Sequence, residues 1–443
     1  MINDVIWLAW SFHSCLVLLK EVKPVKKILS ALLVVMLLLS SVSAMAEVVR
    51  NDKGTKYTLD TEGHVLLSMQ ADRNITPAPG VMDVNPVIEG ESPTTGLPYD
   101  TNSLYLPMLV QISNPEGSDK NAAGKKVTSA GIGERAPWGG QYADIVYEGI
   151  LYRSGQTRIT FLYSDAFAEM SSLSVGPVRS ARIGHVLLRE EWMGGIVYAG
   201  GPRAEENNIA AMFAELGAGE KGVTFNLLDN KYQDYKYRVK GVTFNLLDNN
   251  YNEVKYRVQG VKAPDNYNVD VLGIRALVPT TTVATPHPWL FTDVSPYTDG
   301  YEMAYNVNLD WGHKRYISHF MYDEANNLYL RFSGDAPYMT FASADDRSED
   351  NEEQMAFSNV IIQRVGYEYT NNSKIMPVMQ SVGQGNADIF IGGRYIPGYW
   401  VRESIESPTV FFDDQGNEIQ LTRGKTFIAH FPPERLLTYS AAQ

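Results

Sequence analysis

The chain has 443 residues, of which 44% are hydrophobic and 20% are charged, and these values are typical of globular rather than disordered proteins. Its formal net charge of -13 argues against a nucleic acid or an anionic membrane surface as partner, because both require a basic face. The length exceeds what one ordinary hydrophobic core organises, so it predicts two domains.

The first segment, residues 1–46, is predicted to be a leader and signal peptide. Lysines precede an apolar run from Ile28 to Leu39, and small residues follow as far as Ala46. This order is typical of secretory signal peptides, and the run is too short for a stable membrane anchor. We expect cleavage near Ala46 and a secreted or extracytoplasmic product without an integral membrane segment. The only cysteine, Cys15, is not in a lipobox, so we expect no lipid anchor.

The remaining chain is predicted to have an α/β N-terminal domain followed by a mostly-β C-terminal domain, a two-domain α+β chain overall. Residues 47–94 read as a hairpin and a Pro-rich linker. Residues 95–276 alternate strand and helix signals, which is typical of an α/β domain. Residues 277–288 form a Thr/Pro linker, and residues 289–435 carry short, Tyr-rich, alternating segments that predict strands.

Several elements are predicted in order within the N-terminal domain. The stretch "QYADIVYEGILYR" has apolar residues at Ile145, Val146 and Ile150, a spacing that predicts a helix. "TRITFLYSD" predicts a strand, and "GPVRSARIGHVLLREEW" predicts a helix with Pro177 in its first turn. "GGIVYAGG" predicts a short strand, and "AEENNIAAMFAELGAG" predicts a helix that ends at glycine.

A tandem repeat occupies residues 222–259. Residues 222–240 and 241–259 both begin with "GVTFNLLDN", and each unit of 19 residues predicts one hairpin. Two copies are too few to build a solenoid. One interpretation is a segmental duplication tolerated at a sheet edge, and the other is a duplicated ligand-binding hairpin.

Catalytic motifs provide no assignment. The chain has no phosphate-binding glycine loop and no serine-hydrolase or zinc-hydrolase motif. Its histidines form no i, i+4 pair, and the acidic run at residues 345–353 lacks the ligand spacing of a calcium loop. We therefore predict no cofactor and no metal, and catalytic residues stay unknown.

A cluster of charged residues in the α/β domain is the candidate site. Asp144 and Glu148 are spaced i, i+4 on the first predicted helix, and Arg158 begins the next strand. Arg179 and Arg182 fall in the first turn of a predicted helix, where basic side chains oppose the helix dipole. These arginines therefore require either carboxylate partners or an anionic ligand.

Two interpretations of this cluster are open. In the first, Asp144 and Glu148 neutralise the arginines in a purely structural network. In the second, the arginines line an anion pocket at the ends of the strands, near Tyr198, Gly200 and Gly201.

Several motifs together resemble the YerB-like family of bacterial lipoproteins. "SPTTGLP", "VGPVRSARIGHV", "YAGGP" and "KAPDN" are similar in order and spacing to the N-terminal half of that family, and "NVIIQRV" and "GQGNADIFIGGRYIPGYWVR" to its C-terminal half. The resemblance covers about residues 92–432. It implies a two-part architecture in an envelope-associated group of unknown function.

The chain departs from the family pattern at several places. It has no lipobox cysteine, and residues 153–158 lack an acidic residue that the pattern has. A His-Asp pair of the family is replaced near residues 337–340, and the repeat has one unit more than the family pattern, which favours a tolerated insertion.

Two functions follow as hypotheses. The first is an exported, non-catalytic binding module for a cell-wall glycan or peptide, based on the leader, the Tyr-rich β segments and the lack of catalytic motifs. The second is an enzyme acting on an anionic cell-envelope substrate, with Asp144 or Glu148 as general acid or base and the arginines as an anion clamp.

Overall fold

The computed structural model describes residues 85–100, 105–114, 136–165, 170–203, 207–216, 254–278, 284–313, 315–369 and 376–442, and seven short strands elsewhere. The predicted leader, its cleavage site at Ala46 and Cys15 lie outside the described residues. The chain divides into two compact units, Met1–Val65 and Leu66–Gln443. In the first unit, Glu47–Arg50 and Lys56–Leu59 pair as antiparallel strands.

Strands dominate the described residues. They are numbered in chain order: β1 Glu47–Arg50, β2 Lys56–Leu59, β3 Met108–Ser113, β4 Ser118–Lys120, β5 Lys126–Ala130, β6 Ile145–Ile150, β7 Thr157–Tyr163, β8 Ser174–Val175, β9 Gly195–Tyr198, β10 Val223–Asn226, β11 Tyr237–Val239, β12 Val242–Phe244, β13 Lys255–Arg257, β14 Tyr267–Asp270, β15 Leu290–Thr292, β16 Glu302–Met303, β17 Asn306–His313, β18 Tyr316–Asp323, β19 Leu328–Ser333, β20 Ala336–Pro337, β21 Met339–Phe341, β22 Glu352–Gln354, β23 Ala356–Phe357, β24 Asn359–Arg364, β25 Gly366–Glu368, β26 Val378–Gln380, β27 Gly383–Ile391, β28 Arg394–Arg402, β29 Val410–Asp413, β30 Gln420–Thr422, β31 Thr426–Phe431 and β32 Leu437–Ser440.

Helices are short and few in the same residues. The α-helices are α1 Ile183–Trp192, α2 Ile209–Glu215 and α3 Val271–Ala276. Single 3-10 turns occupy Gly140–Tyr142 and Glu349–Asn351. Within the described part of the chain, no helix is both long enough and apolar enough to cross a membrane.

One sheet of eleven strands, here called the large sheet, unites both halves of the chain. Its order is β10-β9-β3-β7-β6-β31-β24-β27-β28-β16, with β29 paired to β28. The halves meet where β6 runs parallel to β31, and β31 is in turn parallel to β24. Strands from distant parts of the sequence therefore lie side by side at the centre of the sheet.

The prediction of an α/β N-terminal domain is wrong, because the structure is mostly β in both halves. The clearest error concerns the predicted helix at "QYADIVYEGILYR", which is strand β6. Five of its six residues are buried, since both faces of the large sheet are covered. A strand buried on both faces is apolar at nearly every position, so it loses its period of two and mimics helical spacing.

The two faces of the large sheet pack against different partners. Phe427 and Phe431 of β31 contact Phe320 and Trp311 of a second sheet, of order β20-β19-β18-β17-β32, so we call this side the sheet face. Residue Ile428, between them, joins a core cluster with residues of α1, so we call the opposite side the helix face. The alternation follows from the two-residue period of a strand.

The repeat pairs differently from the predicted one hairpin per unit. Strand β10, in the first repeat copy, lies parallel to β9. Strands β11 and β12 pair across the boundary between the two repeat copies. Strand β13 of the second unit pairs with β14. Residues 227–236, 240–241 and 245–253, between β10 and β13, lie outside the described part of the chain.

Candidate functional site

The pleat of β6 and β7 separates the predicted charged cluster into two groups. In the antiparallel register, Glu148 is opposite Ile159 and Gly149 is opposite Arg158. Directly paired residues share a face and adjacent residues do not. Glu148 therefore projects to the sheet face and Arg158 to the helix face, so the predicted network in which Glu148 neutralises the arginines is wrong.

Glu148 is held by a buried polar network on the sheet face. Its Oε2 accepts hydrogen bonds from Arg331 Nη2 and Ser318 Oγ, both at 2.8 Å. Its Oε1 accepts from Thr157 Oγ1 at 2.6 Å and Asn114 Nδ2 at 2.9 Å. The Glu148 and Arg331 side chains are each only 1% exposed, so this pair links β6 to the second sheet and is closed to any ligand.

Asp144 is also occupied, but by main-chain donors. Its Oδ2 accepts from the backbone N–H groups of Ser164, at 2.5 Å, and Asp165, at 3.0 Å. Burial raises the pKa of Asp144 to about 7, and the negative charge of Asp165 adds to this. The Asp165 carboxylate in turn accepts hydrogen bonds from the hydroxyl groups of Ser92 and Thr95 in "SPTTGLP". Asp144 thus orders a loop and does not reach the arginines as a counter-ion.

Arg179 has a different partner from the one predicted. Its Nη1 donates to Asp265 Oδ1 at 2.6 Å, and the two side chains are 24% and 45% exposed. Asp265 lies in the "KAPDN" segment, which sequence analysis associated with the family pattern and not with the charged cluster.

Arg158 and Arg182 line a small pocket on the helix face, here called the arginine pocket. It has a cavity volume of about 20 Å³. Its lining residues come from both halves of the chain: Tyr147, Gly149, Ile150, Arg158, Thr160, Arg182, Gly184, His185, Leu188, Tyr367, Pro377, Met379 and His430.

Arg158 is the central charge of the pocket. It is 4% exposed, and its Nε has no hydrogen-bond partner among the described residues. Burial lowers the pKa of Arg158 to about 9, with a further contribution from the positive charges of Arg179 and Arg182. Withdrawing a charge from water without a counter-ion is unfavourable, so this guanidinium is poised to take an anion.

Gly149 gives the pocket its space. In register across the sheet, it lies between Arg158 of β7 and His430 of β31. A Cβ atom at this position would lie 3.1 Å from the Tyr367 hydroxyl oxygen and 3.6 Å from His430 Cβ. Any side chain here would therefore fill the gap between the two neighbouring strands.

Arg182 caps the first turn of α1 from the other side of the pocket. Its Nη1 donates to the Ala181 carbonyl at 2.8 Å, and its guanidinium lies 5.8 Å from the centre of the Tyr152 ring. Its Nε has no partner among the described residues. Burial lowers the pKa of Arg182, as it does that of Arg158, because both guanidinium groups are less hydrated than those of surface arginines.

The two pocket histidines are neutral at pH 7. Burial, followed by the charges of Arg158 and Arg182, lowers the pKa of His185 well below 6.5. Its Nδ1 accepts the Arg182 backbone N–H at 2.9 Å, so the proton is on Nε2. Burial lowers the pKa of His430 to about 3, and its ring stacks on Tyr147 with the centroids 5.4 Å apart.

The other predicted site residues, Tyr198, Gly200 and Gly201, pack beside the segment that leads into α1. The Tyr198 ring stacks on Phe213 at 6.1 Å within a hydrophobic cluster. The Gly200 carbonyl accepts the backbone N–H of Ala181, and Gly201 packs on Ile209. They hold the segment that leads into α1, and within the described residues they do not line the arginine pocket.

The chemistry of the pocket suits an anion and not a cation. Its charged groups are guanidinium ions, which repel metal ions. Across the described ranges, no three His, Asp or Glu residues lie close enough to share a metal ion. Sequence reasoning had no signal for His185, His430, Tyr147 or Tyr367, because they reach the arginines only through the folding of both halves.

Comparisons with known proteins place both halves of the chain. Residues 129–275 match the family model of the DUF3048 N-terminal domain, described as a protein of unknown function, and residues 307–428 match that of the DUF3048 C-terminal domain. The crystal structure of the YerB protein from Bacillus subtilis is similar in fold, with a TM-score of 0.55 and 21% identity. The match covers 78% of this chain and 99% of that one. No curated protein matches the chain.

Proposed function

Since the chain belongs to the YerB-like family and carries its two DUF3048 domains in order, we propose that it is an exported, non-catalytic binding protein. Its ligand is a cell-wall glycan or peptide with an anionic group that enters the arginine pocket. Arg158 carries this proposal: it is a 4% exposed guanidinium that lines a pocket and finds no carboxylate partner among the described residues.

The charge balance around the pocket supports an anionic ligand. Arg158, Arg179 and Arg182 are close enough for their charges to act on one another, and Asp265 is the carboxylate that offsets them. An anion that binds here gains from the low local dielectric, which strengthens charge-assisted hydrogen bonds. Export rests on the predicted signal peptide and is part of the proposal.

The enzyme alternative loses the residues on which it relied. Glu148 is saturated on the sheet face, and Asp144 accepts from the backbone of Ser164 and Asp165. Neither carboxylate shares a pocket with the arginines in the described structure. Burial lowers the pKa of the two pocket histidines, His185 and His430, and raises that of the pocket tyrosines, Tyr147 and Tyr367.

Sulfate binding tests this proposal. We expect sulfate to raise the melting temperature of the wild-type chain, because it binds the folded state preferentially. Sulfate also stabilises proteins in general by exclusion from their surfaces, so variants are needed to isolate the specific part. Arg158→Met removes the central charge and keeps most of the side-chain volume, and Arg257→Met is the matched control at an exposed arginine outside the pocket.

The expected result is a sulfate-dependent rise that Arg158→Met reduces to the general effect and that Arg257→Met leaves unchanged. Without sulfate, Arg158→Met should melt at or above the wild-type temperature, since it removes an uncompensated buried charge. An equal sulfate response in all three proteins would disprove the anion pocket.

A further inference from the structure

We infer, building on the proposed function, that the anionic group is a phosphoryl group bound as a dianion. The charge of the site favours a dianion. Two guanidinium groups, those of Arg158 and Arg182, line the pocket. The charge of Arg179 also acts on Arg158, but Arg179 is paired with the carboxylate of Asp265. Two positive charges remain, so a monoanion would leave one uncompensated in a site with limited access to water.

The number and direction of the hydrogen-bond donors also favour a phosphoryl group. The Nε atoms of Arg158 and Arg182 are unpaired among the described residues, and His185 presents Nε2–H. The first-turn N–H groups of Ile183 and Gly184 have no acceptor within the described structure, and Gly184 lines the pocket. Donors thus come from the strand below and from the start of a ten-residue helix above.

This donor set suits a tetrahedral anion better than a planar one. The three terminal oxygens of a phosphoryl group accept from several directions, and helix N-termini are established phosphate-binding positions. A carboxylate has two oxygens in one plane and would leave donors unpaired. Unpaired buried donors lower affinity because their hydration is lost without replacement.

The size of the cavity limits what can enter it. Its volume of about 20 Å³ exceeds the roughly 10–15 Å³ that a single water molecule needs, so it admits a small group only. Whole sugars or peptides require pockets of several hundred Å³. The phosphoryl group therefore enters alone, and the remainder of its parent molecule stays outside the cavity.

The ionisation of the ligand should govern affinity between pH 5.5 and 7.5. The pKa of His185 lies well below 6.5 and that of His430 is about 3, while burial raises the pKa of Tyr147 and Tyr367 above 10. Arg158 remains charged with a pKa of about 9. Burial therefore moves the pKa of the pocket histidines down and that of the pocket tyrosines up, away from neutral pH.

Further charged groups lie around the pocket. The negative charge of Glu434 contributes to the raised pKa of Tyr367. At Tyr369, Glu434 raises the pKa, whereas Arg435 and Arg153 lower it. A phosphomonoester has its second pKa near 6, so its dianionic fraction rises about fourfold from pH 5.5 to 7.5.

Calorimetric titration of the full chain tests this inference. The probes are glycerol 3-phosphate, inorganic phosphate, dimethyl phosphate and acetate, each at pH 5.5 and 7.5. We expect glycerol 3-phosphate to bind at least tenfold more tightly than dimethyl phosphate or acetate, which are monoanions. Its affinity should rise about fourfold over the pH interval, and it should be lost in Arg158→Met and kept in Arg257→Met.

Different results would contradict the dianion and the anion pocket. If dimethyl phosphate or acetate matches glycerol 3-phosphate and all depend on Arg158, the dianion inference fails while the anion pocket stands. If no probe binds and sulfate gives no Arg158-dependent stabilisation, both fail. Equal affinity for inorganic phosphate and glycerol 3-phosphate identifies free phosphate as the source, whereas tighter binding of the ester identifies a phosphorylated molecule.

Discussion

At the scale of single residues, Asp144 keeps its proton to a higher pH in the folded state than in the unfolded chain. Burial and the neighbouring charge of Asp165 raise its pKa to about 7 from an ordinary value of 3.8. The folded state therefore binds this proton more tightly than the unfolded state. Its contribution to stability is complete below pH 4 and declines as the pH rises towards 7.

We expect Asp144→Asn to flatten this pH dependence. An asparagine amide oxygen accepts the same two backbone N–H groups and has no charge to bury. Between pH 5 and 8, the wild-type free energy of unfolding should fall on the order of 2–3 kcal/mol relative to the variant. Urea unfolding at both pH values measures the difference, and parallel pH profiles would show that Asp144 has no raised pKa.

Sequence reasoning found the arginines but not their surroundings. The spacing of "VGPVRSAR" and the start of "TRITFLYSD" led to Arg158, Arg179 and Arg182, whose charges do act on one another in the structure. His430 was unremarkable in the sequence, because its place beside Gly149 depends on parallel pairing between strands of different halves. Local patterns contain no information on such pairing.

At the scale of elements, the Glu148–Arg331 pair fastens β6 to β19 across the gap between the two sheets. The guanidinium also lies 3.9 Å from the Tyr338 ring centre, so it is enclosed on several sides. Both side chains are 1% exposed, and loss of one charge would leave the other buried without compensation.

We expect Arg331→Met to lower the free energy of unfolding by about 3–5 kcal/mol. Adding Glu148→Gln to that variant should restore a large part of the loss, because no charge is then buried. Arg257→Met, at an exposed strand position, should cost less than about 1 kcal/mol. Chemical denaturation of the four proteins gives these values. A double variant as unstable as Arg331→Met alone would rule out an uncompensated carboxylate as the cause.

Element type was predictable where one side of an element meets solvent. Strand β17 alternates buried and accessible residues from Val307 to Trp311, and its segment was predicted as strand. Strand β6 is covered on both faces, and its run of Ile, Val and Tyr gave no usable period. The incorrect prediction of a helix at β6 follows from this physical cause.

At the scale of the whole molecule, the large sheet makes the two family domains one structural body. Strand β31 pairs on one side with β6 and on the other with β24. Separation of the halves would turn central strands into open edges with unpaired backbone groups. The predicted domain bounds separate two stretches of sequence, but the large sheet is continuous across them.

We expect the two halves to fold only together. Calorimetry of the chain should show one cooperative transition for the body that contains the large sheet. Fragments divided in the Thr/Pro segment, residues 277–288, should be unfolded or insoluble alone and should recover native near-ultraviolet dichroism when refolded as a mixture. A cooperative melting transition in either isolated fragment would contradict this.

The position of His430 on β31 has a consequence for biosynthesis. The ribosome makes Arg158, Arg182 and His185 long before it makes Tyr367, Met379 and His430, which form the opposite wall of the pocket. A partly made chain thus carries the charges of the site without its enclosure. The pocket is therefore enclosed only after nearly all of the polypeptide has been translated.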